Sequence, residues 1–556
     1  MSEDPRVMRG PRWLAEHLAE AERLVDEAQV DGVALVEWLE TLLGETQDGP
    51  GRPRGLSVRT LFVALQLGAF DRRYFLSEVP DTLDELGAAQ RERLGLIPTG
   101  PTVSYRQVCY LVERINLALR RAFTNDNRDD DSRYHDFDQF FQAMATSGTH
   151  GDADRFLSIA VDGSDIPTWG SSSTSLEMRW NDLGGGTREA VTDEDGNLVI
   201  DKVRRITDRD AGFRGQKNDE GKDPHFGYAL TVAVTARDED GTQAPLAAVA
   251  ARLRPTNYRD RQMGLAVIGE VHHRRGRLGD VLADRGYTSS KDGTDFLLPI
   301  RALGGEPVFD LTKYQVGPSG TVRGALIIDG RPYSPAIPQS LLTLVPPRGG
   351  EDGAYKPDPA KVRAYQQAIA ARAAYALDYH SKRPTGSWVF TCPAASGKVD
   401  CPLRAPRIEL RPDATTVLRV PEPAARGAVC TRAHTSFALE DLPLAQRHIF
   451  GSLEWYRSYS RRGTSVETYF ANLKHATGAG IERGAIRVRG IIKTGMLLAF
   501  ALSSTNRRCA IAYERGKVAG TTVQQRRRGR PRRQLVTTLR QVIEDARTSP
   551  TVVMTT

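Results

Sequence analysis

The stretch Phe156–Pro167, FLSIAVDGSDIP, constrains the fold more than any other. Apolar residues run into Asp162 and a glycine turn, which is the pattern of a buried strand that ends by delivering a carboxylate. Gly279–Ala283 repeats the pattern on a smaller scale and leads into Asp284-Arg285-Gly286-Tyr287. Between the two, Tyr228–Arg237 and Leu246–Leu253 read as strands and Arg259–Gly276 as a helix. The expectation is a mixed α/β core in which two strands each bring an aspartate to a C-terminal end, where α/β folds usually place their chemistry. Residues 170–223 are polar and glycine-rich and predict mostly loop.

Upstream, Pro11–Gly44 has apolar residues at helical spacing, broken near Asp31-Gly32, and Ser57–Gly68, Leu83–Leu94 and Tyr105–Phe123 read as further helices. Residues 1–124 are thus expected to form a helical N-terminal domain. Its short helices and basic turns (Arg52, Arg54, Arg59, Arg72, Arg73) suit either a helix-turn-helix for DNA or a plain packing module. Asn125–Ser132 is acidic, and residues 125–154 are expected to link this domain to the core, whose first part spans 155–295. Residues 296–449 read as a strand-rich insertion, with strand-like pieces at Val322–Ile328, Leu341–Val345, Trp388–Thr391, Arg407–Leu410 and Thr416–Val420 and a helical piece at Pro359–Tyr379. The core resumes over 450–510, with a helix at Ile486–Ser504, and residues 511–556 form a basic tail.

The resumption contains Trp455–Gly478, WYRSYSRRGTSVETYFANLKHATG, read as a basic aromatic lead-in and then a helix. Val466, Tyr469, Phe470 and Leu473 share an apolar face, while Glu467 and Lys474 share a neighbouring one. Thr464-Ser465-Val466-Glu467 also fits a capping box, in which the glutamate would only bond the helix start.

Asp162, Asp284 and Glu467, taken together, suggest chemistry. Clustered carboxylates resist ionisation unless a cation neutralises them, and oxygen-only donors suit Mg²⁺ or Mn²⁺. Two such ions can hold the attacking and leaving oxygens of an in-line phosphoryl displacement. In that arrangement Asp162 bridges both ions, and Asp284 and Glu467 each complete one.

The VDGS turn at Asp162, the ADRGY at Asp284 and the Glu467 helix with Lys474, in this order, resemble DDE transposases of bacterial insertion sequences. The class most similar carries a Tyr-Arg-Glu-Lys signature around the third acid and a strand-rich insertion before it. The resemblance covers about residues 155–505, with DRDAGF (Asp208–Phe213), HFGYAL (His225–Leu230) and NYRD (Asn257–Asp260) as supporting pieces. It implies a ribonuclease H-like core and a triad of Asp162, Asp284 and Glu467 that binds two catalytic Mg²⁺ or Mn²⁺ ions. It also implies that Tyr459, Arg462 and Lys474 contact DNA phosphates near the cleaved end. The Glu467-to-Lys474 and Tyr459-to-Arg462 spacings match the signature, but the Arg462-to-Glu467 interval is one residue longer than the usual three. Arg461 or Arg457 could therefore take the phosphate contact instead, and Tyr287 is a further candidate beside the second acid. The expected activity is metal-dependent cleavage at the terminal inverted repeats of an element and transfer of the exposed strand to target DNA, with a homodimer pairing the two ends. A non-catalytic DNA-binding relative and a ribonuclease H-like nuclease without transposition are the alternatives.

Three further features stand apart from the triad. Cys392, Cys401, Cys430 and His434 could form a zinc site in the insertion, or the cysteines could serve as small buried hydrophobes. Arg526–Arg533, with Arg528 and Arg530 around a Gly, resembles an AT-hook for a narrow minor groove, or is a basic tail for any polyanion. Trp169 reads either as core or as a platform for an unpaired base. Five scattered cysteines give no disulfide framework, no apolar run approaches the ~20 residues of a membrane helix, and the N-terminus has no secretory segment. The expected place is the bacterial cytoplasm, at the nucleoid. A net charge of +7 favours polyanionic partners.

Overall fold

The computed structural model describes residues 11–45, 55–123, 131–182, 188–193, 195–215, 225–288, 294–347, 358–384, 386–404, 418–423 and 426–518. The protein is mixed α/β. Its central sheet runs in the order Ala248–Pro255, His225–Thr235, Ile159–Pro167, Asp280–Ala283, Glu306–Phe309, with Gly212–Arg214 added alongside His225–Thr235. The first three pair antiparallel and the last two run parallel to Ile159–Pro167.

Side-chain alternation along the strands sorts the core into two layers. Ile159 and Val161 pack with Val267, Ile268 and Val271 of the helix Asp260–Arg275. Ala160 and Ile166 face the other way, into a core built with the helices Val58–Phe70, His135–Ala145 and Ile491–Val518. That second core is continuous from the N-terminal helices to the sheet. Asp208 and Asp210 of the DRDAGF piece fix the start of the long helix. Asp208 accepts bonds from the Gly490 amide (3.2 Å) and the Tyr228 hydroxyl (2.7 Å), and Asp210 from the Ile491 amide (3.0 Å) and Arg120 (2.6 Å).

Several expectations need correction. Residues 172–206 are not mostly loop: Ser172–Met178 pairs with Ile200–Ile206, and Trp180–Asp182 with Arg188–Ala190. Leu83–Leu94 is interrupted at Gly87, giving the short helices Val79–Asp84 and Ala88–Arg93. Glu306–Phe309, within the expected insertion, is the edge strand of the central sheet. Val322–Ile328 is two strands, turned at Arg323 and Gly324, whose φ of 54° and 84° suit a tight reversal. Leu341–Val345 forms no strand, and Arg407–Leu410 lies outside the described residues. The remaining insertion carries two three-stranded sheets and the helix Pro359–Ala373. Among the described residues no helix is long and apolar enough to cross a membrane.

Of the basic turn residues, Arg59 pairs with Asp26 (2.6 Å), Arg73 with Asp71 and Glu85 (both 3.3 Å), and Arg72 donates to the Thr477 carbonyl (3.3 Å). These internal bonds, rather than an open basic face, account for their positions. Arg52, Arg54 and most of the acidic stretch 125–132 lie outside the described residues.

Candidate functional site

The register of the two parallel strands brings the aspartates together. Val281 pairs with Ile159 and Leu282 with Ala160, so Asp284 comes level with Asp162 and on the same face. The first strand does not end at Asp162 as expected: it continues to Pro167 against Gly227 on its antiparallel side. Parallel pairing on the other side stops at Ala160, which leaves the edge beside Asp162 open. Asp162 accepts a bond from the Gly163 amide (2.9 Å) and Asp284 from the Gly286 amide (2.8 Å). A Cβ at position 286 would stand 2.9 Å from the Asp284 Oδ1, so a larger residue there would push the carboxylate from its present place.

The third acid arrives on a helix whose shape explains the anomalous spacing. Ser452 caps Leu453–Arg462 by accepting from the Trp455 amide (3.2 Å). The chain then makes a π-turn over Gly463–Glu467 and continues as Thr468–Lys474. A π-turn inserts one residue without ending the helix, and such bulges are frequent at functional sites. No helix starts at Thr464, so the capping-box reading of Glu467 is overturned: the lead-in is itself helical, and the Glu467 side chain is turned elsewhere.

Glu467 is turned towards Arg462. Arg462 Nη1 donates to Glu467 Oε1 (2.7 Å) and Nη2 to Asp162 Oδ2 (2.7 Å), and Nη2 lies 3.8 Å from Asp284 Oδ2. One guanidinium thus gathers all three acids. The longer interval does not displace Arg462, because the extra residue is taken up in the π-turn. The side chains grade outward from Asp162 (19% exposed) through Asp284 (38%) to Glu467 (59%). Burial pushes the Asp162 carboxyl up to about 6, reinforced by the other two acids and opposed by Arg462 and the Gly163 amide. The Arg462 Nε is buried and bonds nothing.

The other expected contacts divide. Tyr459 is half-buried, stacked on Trp455 at 5.0 Å, and burial raises its hydroxyl well above the usual range. Lys474 Nζ donates to the Asp165 carbonyl (2.9 Å), three residues or roughly 10 Å along the strand from Asp162. Burial lowers its pKa, with the Asp165 carboxylate opposing. Arg461 cannot reach a phosphate: it is buried against Asp280, the Arg237 carbonyl (3.1 Å) and the Ser458 carbonyl (2.9 Å). Tyr287 is also out of reach, buried against Phe296 at 5.2 Å and beneath Gly264. Arg457 is exposed but bonds none of the three acids through any contact seen here. Trp169 is not core: it is 48% exposed, with Arg487 over its ring at 5.1 Å and the same guanidinium over Phe75 at 4.5 Å. Arg528, Arg530 and the whole hook-like run lie outside the described residues.

Arg461 and Arg462, adjacent in sequence, therefore have separable roles. Their side chains diverge around the helix, one into the core and one into the acid cluster. Removing Arg461 leaves the buried Asp280 with Arg447 (2.8 Å) as its remaining partner. Arg461→Ala is expected to cost about 3 kcal/mol of stability in urea unfolding, with the activity of the folded fraction unchanged.

The three acids suit a hard divalent cation in donor chemistry, since all offer oxygen and all surround the Arg462 charge, but with Arg462 between them their oxygens do not all lie within 4.8 Å of one another. A second group, His150, Asp152 and Glu514, brings ligating atoms within 4.8 Å, alone among the described residues. Lys517 already lies 2.7 Å from Asp152 and 3.2 Å from Glu514, so this group reads as an ion-pair network. The three cysteines of the insertion line one cavity, but His434 does not join them. It sits opposite Thr391 in the strand register, with Nδ1 3.0 Å from the threonine hydroxyl and its ring 4.4 Å from that of His380.

No protein-family model matches the chain, and a comparison with curated proteins finds no match either.

Proposed function

We propose that this protein is a DDE-type DNA transposase with a ribonuclease H-like core, which cleaves DNA at the ends of an element and joins the exposed 3′ hydroxyl to target DNA. One observation carries the reading: two adjacent parallel strands and a kinked helix place three carboxylates around a single guanidinium, that of Arg462. The mixed sheet with its acid-bearing strands side by side supports the ribonuclease H-like class.

In this reading Asp162, central and most buried, Asp284 and Glu467 would together hold two Mg²⁺ or Mn²⁺ ions. When bound, the ions supply the charge that holds the attacking and leaving oxygens of the displacement. The protein's own groups position the DNA. Arg462, drawn out of the acid cluster, grips a phosphate near the cut. Tyr459 flanks it, and Lys474 marks the backbone's path along the Asp162 strand. Water is the nucleophile for cleavage and the DNA 3′ hydroxyl for joining, so no covalent protein intermediate is needed. Two ends must be brought together, and a homodimer does this most simply.

The test is nicking of the DNA that flanks the gene, with and without Mg²⁺. Wild-type protein should cut at the inverted repeats only with the ion, and Glu467→Gln should not cut. Binding without any Mg²⁺-dependent cut would favour the non-catalytic alternative.

A further inference from the structure

Three of the five cysteines, carried on three different elements, meet in the insertion. Cys392 follows the strand Trp388–Thr391, Cys401 follows Val399–Asp400, and Cys430 lies in the short helix Ala428–Thr431. Together they line a cavity of about 20 Å³, close to the space of a single small ion or water. Cys392 and Cys401 each open a tight turn: the Ala395 and Ser396 amides donate to the Cys392 carbonyl (2.8 and 3.0 Å), and the Arg404 amide to the Cys401 carbonyl (2.9 Å). The turns hold the two thiols on fixed backbone.

The cavity's position gives it a purpose. It lies where two small apolar clusters meet: Val429 belongs to one and Val399 and Val420 to the other, and Cys430 packs on the first and Cys401 on the second. Each cluster has only eight buried residues, too few to hold a fold without a staple. Among the described residues the remaining walls are mostly apolar and include no carboxylate, so the ligand chemistry they offer is that of sulfur. Soft thiolates select zinc over the hard ions that suit the acid cluster.

We propose that Cys392, Cys401 and Cys430 bind one structural Zn²⁺ ion that ties the two halves of the insertion together. The fourth position falls to water. His434 is excluded by alternation: it shares a strand face with Thr391, and Cys392, the next residue, points to the opposite one. Binding displaces the thiol protons to solvent. It also draws the sulfurs together by side-chain rotation, since they are not within 4.8 Å of one another before it. This site is independent of the acid cluster and of the function proposed for it.

The test uses the full chain, expressed with zinc and freed of loose metal by gel filtration. Elemental analysis should find one zinc per chain, lost in Cys401→Ser and in Cys430→Ser but kept in His434→Ala and Cys109→Ser. Because the serine variants could misfold, thiol alkylation of the wild type gives a second readout. Cys392, Cys401 and Cys430 should be protected and should become reactive when a chelator is added. Zinc absent from the wild type overturns the proposal, as does zinc retained by the serine variants or lost in His434→Ala. Protection that persists with chelator, as a disulfide would give, overturns it too.

Discussion

Asp162→Asn is expected to abolish DNA cleavage while making the metal-free protein more stable at neutral pH. The two effects have one cause. Asp162 is the most buried of the three acids, and its carboxyl is pushed up to about 6 by burial and by its acidic neighbours. A carboxyl with a folded-state pKa above its unfolded value costs nothing while it is protonated in both states. The cost grows as pH rises from about 3.8, the unfolded value, and is complete above about 6. Wild-type stability should therefore fall across this window relative to the asparagine variant. The difference above pH 7 should approach ~2–3 kcal/mol, and it should vanish near pH 4. Urea unfolding of both proteins at pH 4, 6 and 8 in chelator measures it. Cleavage should fall by a factor of about 10³ or more, because asparagine cannot supply the charge that a shared ligand must. A stabilised but inactive variant is the signature of a residue kept for chemistry at the expense of the fold. Equal stability of the two proteins at pH 8 would show that the acid carries no such strain.

Arg462→Ala should act in opposite senses on metal and on DNA. In the metal-free protein the guanidinium occupies the centre of the acid cluster, bonded to Asp162 and Glu467 at 2.7 Å each. A divalent ion and this guanidinium cannot both be held there at full strength. Without Arg462, the three acids repel one another, and Mn²⁺ should bind about tenfold or more tightly in the absence of DNA. Cleavage should nevertheless fall by roughly 10²-fold, because the phosphate contact is gone. The same exchange makes metal and DNA cooperative in the wild type: a phosphate that draws Arg462 out of the cluster strengthens metal binding, and the metal returns the favour to the same degree. Calorimetric titration of Mn²⁺ with and without element-end DNA should therefore show coupling in the wild type and none in Arg462→Ala. Equal Mn²⁺ affinity in the two proteins without DNA would remove Arg462 from this role.

The acids were legible in the sequence because each strand announces itself by an apolar run, and the carboxylate that ends the run is conspicuous. Their meeting on one face follows from strand register, which sequence does not state but which two adjacent parallel strands allow. The role of Arg462 was obscured by counting at helical spacing. The helix before Glu467 is wound one residue looser over Gly463–Glu467, and nothing in GTSVE marks a π-turn. Glu306–Phe309 was missed because four residues carry too little pattern to separate a strand from its surroundings. The ribbons within 172–206 were missed because much of their described surface is exposed, as at Trp180 and Ile200, so no apolar alternation shows. Trp169 reads in the sequence as either core or an open platform, and only the fold decides, leaving it exposed and flanked by Arg487.

If the acid cluster joins DNA strands as proposed, strand transfer is the reaction to measure. A labelled duplex ending in the inverted repeat that flanks the gene would be incubated with a circular target, Mg²⁺ and purified protein. Labelled 3′ ends should be covalently joined to the target by the wild type, with no joining by Glu467→Gln or in chelator. Joining that persists in Glu467→Gln, or a wild type that cuts its own ends with Mg²⁺ yet never joins them to target, would contradict the proposal.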